Sequence, residues 1–435
     1  MKIALLNTSD QNGGAAMACL NLLDALNRWG GKNNSAKLLV REKLTQNPCV
    51  INVNTSFFKQ KWALATFYLE YLYFTKIEKK KTASPIFSAA RLGINAVARH
   101  SVVWQADVIN IHWINNGFLS LQNLEQLMNL HRPIVFHLHD MWTFTGGCHY
   151  AGTCQNYKNE CGNCPFLKNN SQNDLSNWVL TRKKNIFAIH KNIAIVAPSQ
   201  WLSDLAGRSV LFKNCRIETI RNPIDTLKWQ ATQTKTDAQK SLNLDTSKCY
   251  ILFGAMNIND TRKGFVYLQK ALEILKNETQ NTDYELLIFG KADEKTLNDL
   301  PLKANYLGLV NDFETLKTIY TAADVFVIPS LEDNLPNTIV EAMCFGVPVV
   351  GFEAGGIPEM IDHKQNGYIA KHKSADDLAQ GINFVLKHTD YAQISAHARQ
   401  KACNAYGEQA IAKQYLQLFE QMIQTQQLHT NPSKL

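Results

Sequence analysis

The feature that most limits the fold of this chain is a regular alternation of short apolar runs with longer amphipathic stretches. Two of the amphipathic stretches, 13–30 and 265–277, have the periodicity of helices. Runs of five to eight residues that are rich in β-branched side chains are typical of strands buried on both faces of a parallel sheet. Nine such runs occur, at 2–7, 36–40, 107–112, 133–140, 194–199, 250–255, 284–290, 324–330 and 347–352. The alternation therefore predicts an α/β fold built from βαβ units.

The βαβ pattern occurs twice, on either side of a polar stretch that is rich in Thr, Lys and Gln. A chain of 435 residues is long enough for two domains with separate cores. Ligands of doubly wound sheets bind beyond the carboxyl ends of the strands, so we expect a site in a cleft between two Rossmann-like domains. The predicted division is a first domain at 1–225, a linker at 226–248, a second domain at 249–415, and a C-terminal helix and tail at 416–435.

Charge and composition suggest where the protein is found and what it contacts. Residues 1–220 contain 24 Lys and Arg but only 12 Asp and Glu, which indicates either an anionic partner or a solvated basic face. Segment 57–81 combines aromatic residues with Lys at both ends, as in membrane-interface helices and in ordinary amphipathic helices. No apolar run reaches the roughly 18–20 residues that span a bilayer, and no signal-peptide cleavage site follows the first run. We expect a cytoplasmic protein, peripheral at the inner face of the cell membrane if segment 57–81 binds lipid.

Residues 331–343, "LEDNLPNTIVEAM", place two acidic residues, Asp333 and Glu341, around a proline. A strand that ends at Ser330 and a helix from Pro336 to Gly346 would leave a loop at the carboxyl end of the strand. Backbone N–H groups of that loop and of the helix N-terminus favour an anion, and the two carboxylates can accept hydrogen bonds from sugar hydroxyls. This arrangement fits a nucleotide-sugar. The alternative is that Asp333 caps the helix and Glu341 lies on the surface.

Further motifs occur around this segment, in a fixed order along the chain. They are "RNPID" (221–225), "TRKGF" (261–265), "LGLVND" (307–312), "YTAADVFVIPS" (320–330), "EAM" (341–343), "GVPVV" (346–350) and "GGIPEM" (355–360). With Asp333 and Glu341 separated by seven residues, this order resembles the retaining glycosyltransferase family 4, which has the GT-B fold. The stretch "HLHDMWTFTGGCHY" (137–150) resembles a subgroup that builds bacterial surface polysaccharides.

The resemblance implies a donor site for a nucleotide-diphosphate sugar. Glu341 would bind the ribose, and the loop before the helix would hold the transferred sugar and the distal phosphate. Two glycines after the first strand would bring backbone N–H groups to the diphosphate. The implied donor-binding residues are Gly13, Gly14, Asp333, Asn334, Leu335 and Glu341. The family usually has Glu at the first acidic position, so the shorter Asp333 predicts a different donor preference.

The resemblance also implies the catalytic residues His139, Lys263 and Arg262. In a transfer that retains the anomeric configuration, the two cations would stabilise the leaving diphosphate, without a metal or other cofactor. His139 would lie near the reacting carbon of the sugar; a structural histidine is the alternative. The implied acceptor is a glycan, expected to be lipid-linked, in surface polysaccharide biosynthesis.

Four cysteines follow His139 closely in the sequence. Cys148, Cys154, Cys161 and Cys164 have the spacing C-x5-C-x6-C-x2-C, and a Cys-x2-Cys turn that contains glycine suits tetrahedral zinc. The sequence therefore predicts a structural zinc site, with four reduced thiols or a reversible disulfide as alternatives.

Two other functions are compatible with parts of the sequence. A sugar-nucleotide epimerase with the same fold would change the donor without an acceptor. A zinc-knuckle protein that binds nucleic acid would use the basic front half and aromatic residues for base stacking, such as Tyr150, Tyr157 and Phe166. Because two α/β domains are a large scaffold for that role, we predict a transferase that binds no nucleic acid.

Overall fold

A computed structural model describes residues 1–53, 57–80, 87–94, 97–278, 283–310 and 312–430. The strands of the described residues are β1 (Lys2–Ser9), β2 (Ser35–Glu42), β3 (Val50–Asn52), β4 (Val108–Ile111), β5 (Ile134–His137), β6 (Ile193–Ala197), β7 (Arg216–Thr219), β8 (Cys249–Asn257), β9 (Tyr284–Lys291), β10 (Ala304–Tyr306), β11 (Val325–Ile328), β12 (Val349–Phe352) and β13 (Gly367–Ala370). All nine strands that the apolar runs predict are among them.

The helices of the described residues connect these strands. They are α1 (Gly14–Trp29), α2 (Phe57–Leu72), α3 (Ser101–Trp104), α4 (Leu121–Met128), α5 (Leu175–Ile189), α6 (Gln200–Gly207), α7 (Lys235–Ser241), α8 (Phe265–Glu278), α9 (Glu294–Asn298), α10 (Phe313–Ala322), α11 (Asn337–Cys344), α12 (Ile357–Met360), α13 (Ala375–Leu386), α14 (Tyr391–Tyr406) and α15 (Glu408–Thr430). Among the described helices, none is both long enough and apolar enough to cross a membrane.

The first compact unit contains a seven-stranded parallel sheet in the order β3-β2-β1-β4-β5-β6-β7. The chain leaves β1 towards β2 on one side and continues through β4 on the other. The carboxyl ends of β1 and β4 therefore flank the point where the strand order reverses, which is where such sheets bind ligands. Gly13 follows β1, and His139 follows the next strand outward, β5.

The second compact unit contains a six-stranded parallel sheet in the order β10-β9-β8-β11-β12-β13. Its strand order reverses between β8 and β11. The loop 258–264 follows β8 and the loop 329–336 follows β11, so both lie at the carboxyl edge of the sheet beside the reversal point. The two sheets confirm the predicted α/β architecture of two doubly wound domains.

The boundaries of the units differ from the predicted ones. The first unit is Met1–Pro223 together with the residues from Glu408 onward, and the second is Ile224–Gly407. Helix α15 contributes Tyr415 and Phe419 to the apolar core around α1, so 408–415 do not belong to the second domain. Helical periodicity shows that a face is apolar, but it does not show which core receives it.

The predicted linker at 226–248 also needs correction. This stretch lies within the second unit and contains α7, whose N-cap Thr234 accepts a hydrogen bond from the backbone N–H of Asp237. Trp229 and Ala238 are buried in the core of that unit. A polar composition was therefore a poor guide to the domain junction, because a short surface helix is polar as well.

Helix α11 begins and ends close to where the sequence predicts. Pro336 has a φ of −65° and precedes the helix as its N-cap rather than opening its first turn. Gly346 has a φ of +71°, and its N–H donates to the carbonyl of Met343 at 2.9 Å. The N–H of Val347 donates to the carbonyl of Ala342 at 3.1 Å, which completes a Schellman motif.

Candidate active site

In the second unit, two loops at the carboxyl edge of the sheet hold a lysine–aspartate pair. Nζ of Lys263 donates to Oδ2 of Asp333 at 2.6 Å. Asp333 is buried, at 8% exposure, and Lys263 remains partly open to solvent. The structure thus brings together two residues that lie 70 positions apart in the sequence and that the resemblance assigned to different parts of the donor. The pairing fixes the ammonium group at the edge where an anionic ligand would bind.

Two glycines allow the backbone of this region to pack closely. Gly264 has a φ of +66°, and a Cβ there would lie 1.8 Å from the carbonyl oxygen of Pro329. Gly355 has a φ of +59°, and a Cβ there would lie 1.8 Å from the carbonyl oxygen of Asp333, which accepts from the N–H of Gly356 at 3.0 Å. Only glycine fits both positions. The loops 258–264 and 329–336 and the loop that contains Gly355 therefore pack directly against one another and support the lysine–aspartate pair.

The other predicted residues of the two loops have more limited roles. Nη2 of Arg262 donates to Oδ2 of Asp260 at 2.8 Å, so the structure gives this guanidinium a carboxylate partner of its own. Asn334 is buried. The side chain of Leu335 belongs to the hydrophobic core, which leaves only its backbone for contact with a ligand. Lys263 is therefore the cation that Asp333 holds, and Arg262 is held within its own loop.

Glu341, in the second turn of α11, is half-buried and receives a hydrogen bond from a neighbouring helix. The hydroxyl of Tyr320 in α10 donates to Oε2 of Glu341 at 2.8 Å. Burial raises the pKa of Glu341 to about 7, and the Tyr320 hydroxyl opposes this rise. The other carboxylate oxygen has no hydrogen-bond donor among the described residues. Glu341 is thus neither an exposed surface residue nor part of an ion pair, which leaves one oxygen for a ligand hydroxyl.

Sequence reasoning missed the role of Tyr320. The residue opens the segment 320–330, which is one of the ordered motifs, and its ring is fully buried. Only the packing of α10 against α11 shows that its hydroxyl faces the carboxylate of Glu341.

In the first unit, three histidines form a compact group, which we call the histidine cluster: His112, His137 and His139. His112 follows β4, and the other two lie at the end of β5 and just beyond it. Nδ1 of His112 and Nε2 of His139 are 3.0 Å apart, and Nε2 of His112 is 2.8 Å from Oδ1 of Asn110. The ligand atoms of the three rings lie within 4.8 Å of one another, a spacing at which they can also hold a metal ion.

Burial keeps the histidine cluster uncharged. Desolvation lowers the pKa of His137 to about 3 and the pKa values of His112 and His139 well below 6.5. The ring of His137 contacts the hydroxyl of Tyr415, which α15 brings from the far end of the chain. His139 is half-buried. As a neutral imidazole it can donate through one ring nitrogen and accept through the other, but it supplies no positive charge.

The predicted glycines lie between β1 and α1. Gly13 is the N-cap of α1 and has a φ of +90°. A Cβ at this position would meet nothing within 4 Å, so the space beside the backbone is open. Gly14 is the first residue of the helix. The backbone at Gly13 is therefore open on the side where a Cβ would lie, and contact of Gly13 and Gly14 with a diphosphate stays a prediction.

Asp140, next to His139, organises the loop that follows. Its carboxylate accepts hydrogen bonds from the backbone N–H of Trp142 at 2.8 Å and from Nε1 of Trp113 at 3.0 Å. It also lies 2.6 Å from Nδ1 of His149, whose other ring nitrogen is 3.0 Å from Oγ of Ser88. Much of the motif 137–150 is therefore explained by loop structure.

The four predicted metal ligands, Cys148, Cys154, Cys161 and Cys164, line one cavity beside this loop.

Comparison with known proteins finds a family match within the second unit. Residues 248–388 match the family Glycosyl transferases group 1. This match covers the sheet of the second unit with Lys263, Asp333 and Glu341. Lys263, Asp333 and Glu341 thus lie in the part of the chain that matches the family, whereas Gly13, Gly14 and His139 lie outside it.

Curated relatives match different shares of the chain. A glycosyltransferase of Methanocaldococcus jannaschii described as uncharacterised is 25% identical over 334 residues, or 71% of this chain and 81% of its own. The amylovoran biosynthesis glycosyltransferase AmsK of Erwinia amylovora is 28% identical over 37% of this chain and 42% of its own. The N,N'-diacetylbacillosaminyl-diphospho-undecaprenol alpha-1,3-N-acetylgalactosaminyltransferase of Campylobacter jejuni is 31% identical over 42% of this chain and 47% of its own. The match thus spans less than half of the last two relatives.

Solved structures share the fold. HepE of Anabaena, solved in complex with UDP, superposes with a TM-score of 0.61 at 16% identity, over 97% of this chain and 100% of its own. Together, these findings support a transferase: residues 248–388 match group 1 glycosyltransferases, the curated relatives are named as glycosyltransferases, and the two units have the GT-B fold.

Proposed function

We propose that the protein transfers a sugar from a nucleotide-diphosphate sugar to a glycan acceptor, with retention of the anomeric configuration. The observation that carries this proposal is the Lys263–Asp333 pair, held at 2.6 Å on a support of tightly packed backbone. A fixed ammonium group at the carboxyl edge of a parallel sheet is suited to a phosphate that gains charge as it leaves. The solved complex of HepE with UDP makes UDP the first nucleotide to test.

Glu341 would bind the ribose of the donor. Hydroxyl groups donate more strongly to a carboxylate than to a carboxylic acid, so the nucleotide would favour ionised Glu341. The hydrogen bond from Tyr320 holds Oε2 in place and stabilises the same charged form. Donor binding and the protonation of Glu341 are therefore coupled.

Lys263 would act on the transferred sugar's leaving group. Bond cleavage places negative charge on the diphosphate, and an ammonium group that is already in position stabilises that charge without reorganisation. Asp333 would orient Lys263 and contact the sugar. In the retaining mechanism we propose, the leaving phosphate oxygen takes the proton of the acceptor hydroxyl on the same face of the sugar, so the protein supplies no nucleophile.

The first unit would contribute Gly13, Gly14 and His139. The open space beside Gly13 supports backbone contact with an anionic group at the N-terminus of α1. The neutral imidazole of His139 supports a hydrogen bond to a sugar hydroxyl rather than charge stabilisation. These assignments predict that His139→Ala raises the donor KM or lowers kcat, whereas the same change at the exposed His397 of the second unit has no effect.

We further propose that the acceptor is lipid-linked and that the protein works in polysaccharide biosynthesis at a membrane surface. The names of the Erwinia and Campylobacter relatives refer to a polysaccharide and to a diphospho-undecaprenol lipid. Helix α2 offers a surface for membrane binding, because large apolar side chains on it are about half exposed: Leu64, Tyr68, Leu69, Tyr71 and Leu72. Exposed apolar groups on a helix in the basic half of the chain suit an anionic bilayer.

Vesicle flotation tests the membrane proposal. The protein should float with vesicles that contain anionic lipid, and the double variant Tyr68→Ser, Leu69→Ser should remain in solution. Leu227→Ser is the matched control, since Leu227 is a 72% exposed leucine in the second unit. Equal flotation of all three proteins would contradict the assignment of α2.

An activity assay tests the transfer itself. UDP-, GDP- and ADP-sugars are supplied with undecaprenyl-diphosphate-linked acceptors, and the released nucleoside diphosphate is measured with and without acceptor. Proton NMR of the product then shows whether the anomeric configuration is retained. If a different sugar nucleotide formed in the absence of acceptor, the protein would instead be an epimerase.

Lys263→Ala should lower kcat by roughly 10²-fold, as expected for loss of one charge-stabilising group. Lys401→Ala is a closely matched control, because Lys401 also pairs with an aspartate at 2.6 Å, namely Asp362, in the same unit. If both variants retained full activity, the donor site would be wrongly placed.

A further inference from the structure

The cavity beside the 137–150 loop is not used by the proposed transfer, yet it contains an unusual group of side chains. Cys148, Cys154, Cys161 and Cys164 all line it, together with apolar groups such as Tyr157. Its volume is about 10 Å³. The described structure contains no disulfide among these cysteines, so four free cysteine side chains border one small space.

The backbone around the cavity is built to hold these sulfurs. A Cβ on Gly146 would lie 2.9 Å from Sγ of Cys161, so only glycine lets that sulfur approach. In the Cys-x2-Cys turn, Gly162 has a φ of +141° and Asn163 a φ of +47°. The N–H of Cys164 donates to Oδ2 of Asp174 at 2.8 Å. These features fix the turn in one conformation with both of its cysteines at the cavity.

A buried cation lies beside the cysteines. Lys183 on α5 is fully buried, and its Nζ lies 3.8 Å from the ring centroid of Trp142. It donates to the carbonyl oxygens of Trp142 and Thr145. Among the described residues no carboxylate forms a salt bridge with Lys183; Asp140 interacts with it only at longer range.

The charge of Lys183 needs compensation, because an ammonium group in a protein interior is costly unless an opposite charge is near. Burial lowers the pKa of Lys183 to about 7, and Cys148, Cys161 and Asp140, in that order, oppose this fall. Four thiolates around one divalent metal ion carry a net charge of −2. Such a centre would supply the negative charge that the buried lysine lacks.

We propose that Cys148, Cys154, Cys161 and Cys164 together bind one thiophilic metal centre that holds the 146–164 segment in place. Two centres share this four-thiolate chemistry. A single zinc ion has Zn–S bonds of about 2.3 Å and would draw the sulfurs inward to close the cavity. A cubane iron–sulfur cluster, also held by four cysteines, would leave them farther apart.

Metal analysis of protein purified without a metal-affinity tag tests the proposal. Elemental analysis should find either one zinc per chain, or about four irons with acid-labile sulfide and a brown colour. Either result supports the four-thiolate centre and tells the two sources apart. Protein that contains no stoichiometric metal, and in which all four thiols react at once with a thiol reagent, would overturn the proposal.

Variants assign the metal to this site. Cys161→Ser should lose the metal, whereas Cys344→Ser, which changes a fully buried cysteine of the second unit, should retain it. Retention of the metal by Cys161→Ser and loss by His112→Ala would overturn the assignment, because the metal would then belong to the histidine cluster.

A second measurement covers the case in which Cys161→Ser fails to fold. Titration of the wild-type protein with an organomercurial should release the metal progressively as the four thiols are blocked. A metallochromic dye measures the released metal. Release before any cysteine is blocked would contradict ligation by these residues. Because neither measurement needs donor or acceptor, failure of the metal proposal is distinguishable from failure of the proposed transferase reaction.

Discussion

The protonation of Glu341 should control how tightly the protein binds nucleotide. Burial raises the pKa of Glu341 to about 7, so about half of the molecules carry a neutral side chain at pH 7. In the proposed donor site, ribose hydroxyls would bind the ionised form. Affinity should therefore increase as the pH rises through 7 and level off above it.

The size of the effect follows from this pKa. At pH 6 only about one molecule in eleven has an ionised Glu341, whereas at pH 8 nearly all do, so the Kd for UDP should fall about tenfold between these values. Isothermal titration calorimetry in two buffers of different ionisation enthalpy measures the Kd and the protons released. At pH 7 about half a proton should leave the protein per nucleotide bound.

Controls separate Glu341 from the titration of the nucleotide phosphate. In Glu341→Gln only the nucleotide phosphate titrates. The difference in the pH dependence of the Kd between the wild type and this variant is therefore due to Glu341. Tyr320→Phe removes a hydrogen bond that stabilises the charged carboxylate and should move the midpoint above pH 7. Tyr368→Phe, which removes a hydroxyl that also donates to a carboxylate at 2.8 Å, should leave the midpoint unchanged. Identical pH dependence in the wild type and in Glu341→Gln would refute the reasoning.

Three further substitutions test the supports of the site. Asp333→Asn keeps the shape of the side chain but removes the charge that holds Lys263, so kcat should fall about tenfold or more, and Asp362→Asn should leave it unchanged. Gly355→Ala forces a side chain into a left-handed conformation against the Asp333 carbonyl and should cost about 1–3 kcal/mol, measured by urea unfolding; wild-type stability would contradict the close packing. Tyr415→Phe removes the hydrogen bond to the histidine cluster and should destabilise the first unit by about 1 kcal/mol, and an unchanged midpoint would show that this bond contributes nothing.

The strands show how far local pattern extends. Every predicted strand is present, and the strands that the apolar runs did not predict are β3, β7, β10 and β13. These four are the edge strands of the two sheets. An edge strand has one neighbour and is partly open to solvent, so its sequence is short and mixed rather than continuously apolar. Apolar runs indicate strands that are buried on both faces, so they did not predict the strands whose burial is incomplete.

Sequence motifs indicated where the candidate site residues lie in the fold but not how their side chains pair. Ordered motifs placed Lys263, Asp333 and Glu341 near the carboxyl ends of predicted strands, and the structure has them there. The motifs did not show that Lys263 pairs with Asp333 or that Arg262 is held by Asp260. Spacing in sequence indicates which loops reach a sheet edge, whereas a hydrogen bond depends on the angstrom-scale packing of those loops.

The sequence by itself determined the fold class, the number of domains and the sheet edges at which chemistry is expected, because strand and helix periodicities are properties of neighbouring residues. Only the tertiary structure decided that α15 returns to the first unit and that Tyr415 reaches His137 from 278 residues away. It also decided that Tyr320 faces Glu341 and that Lys183 is buried where Cys148 and Cys161 act on its charge. These contacts join distant parts of the chain, and their geometry follows from how whole cores pack rather than from any local pattern.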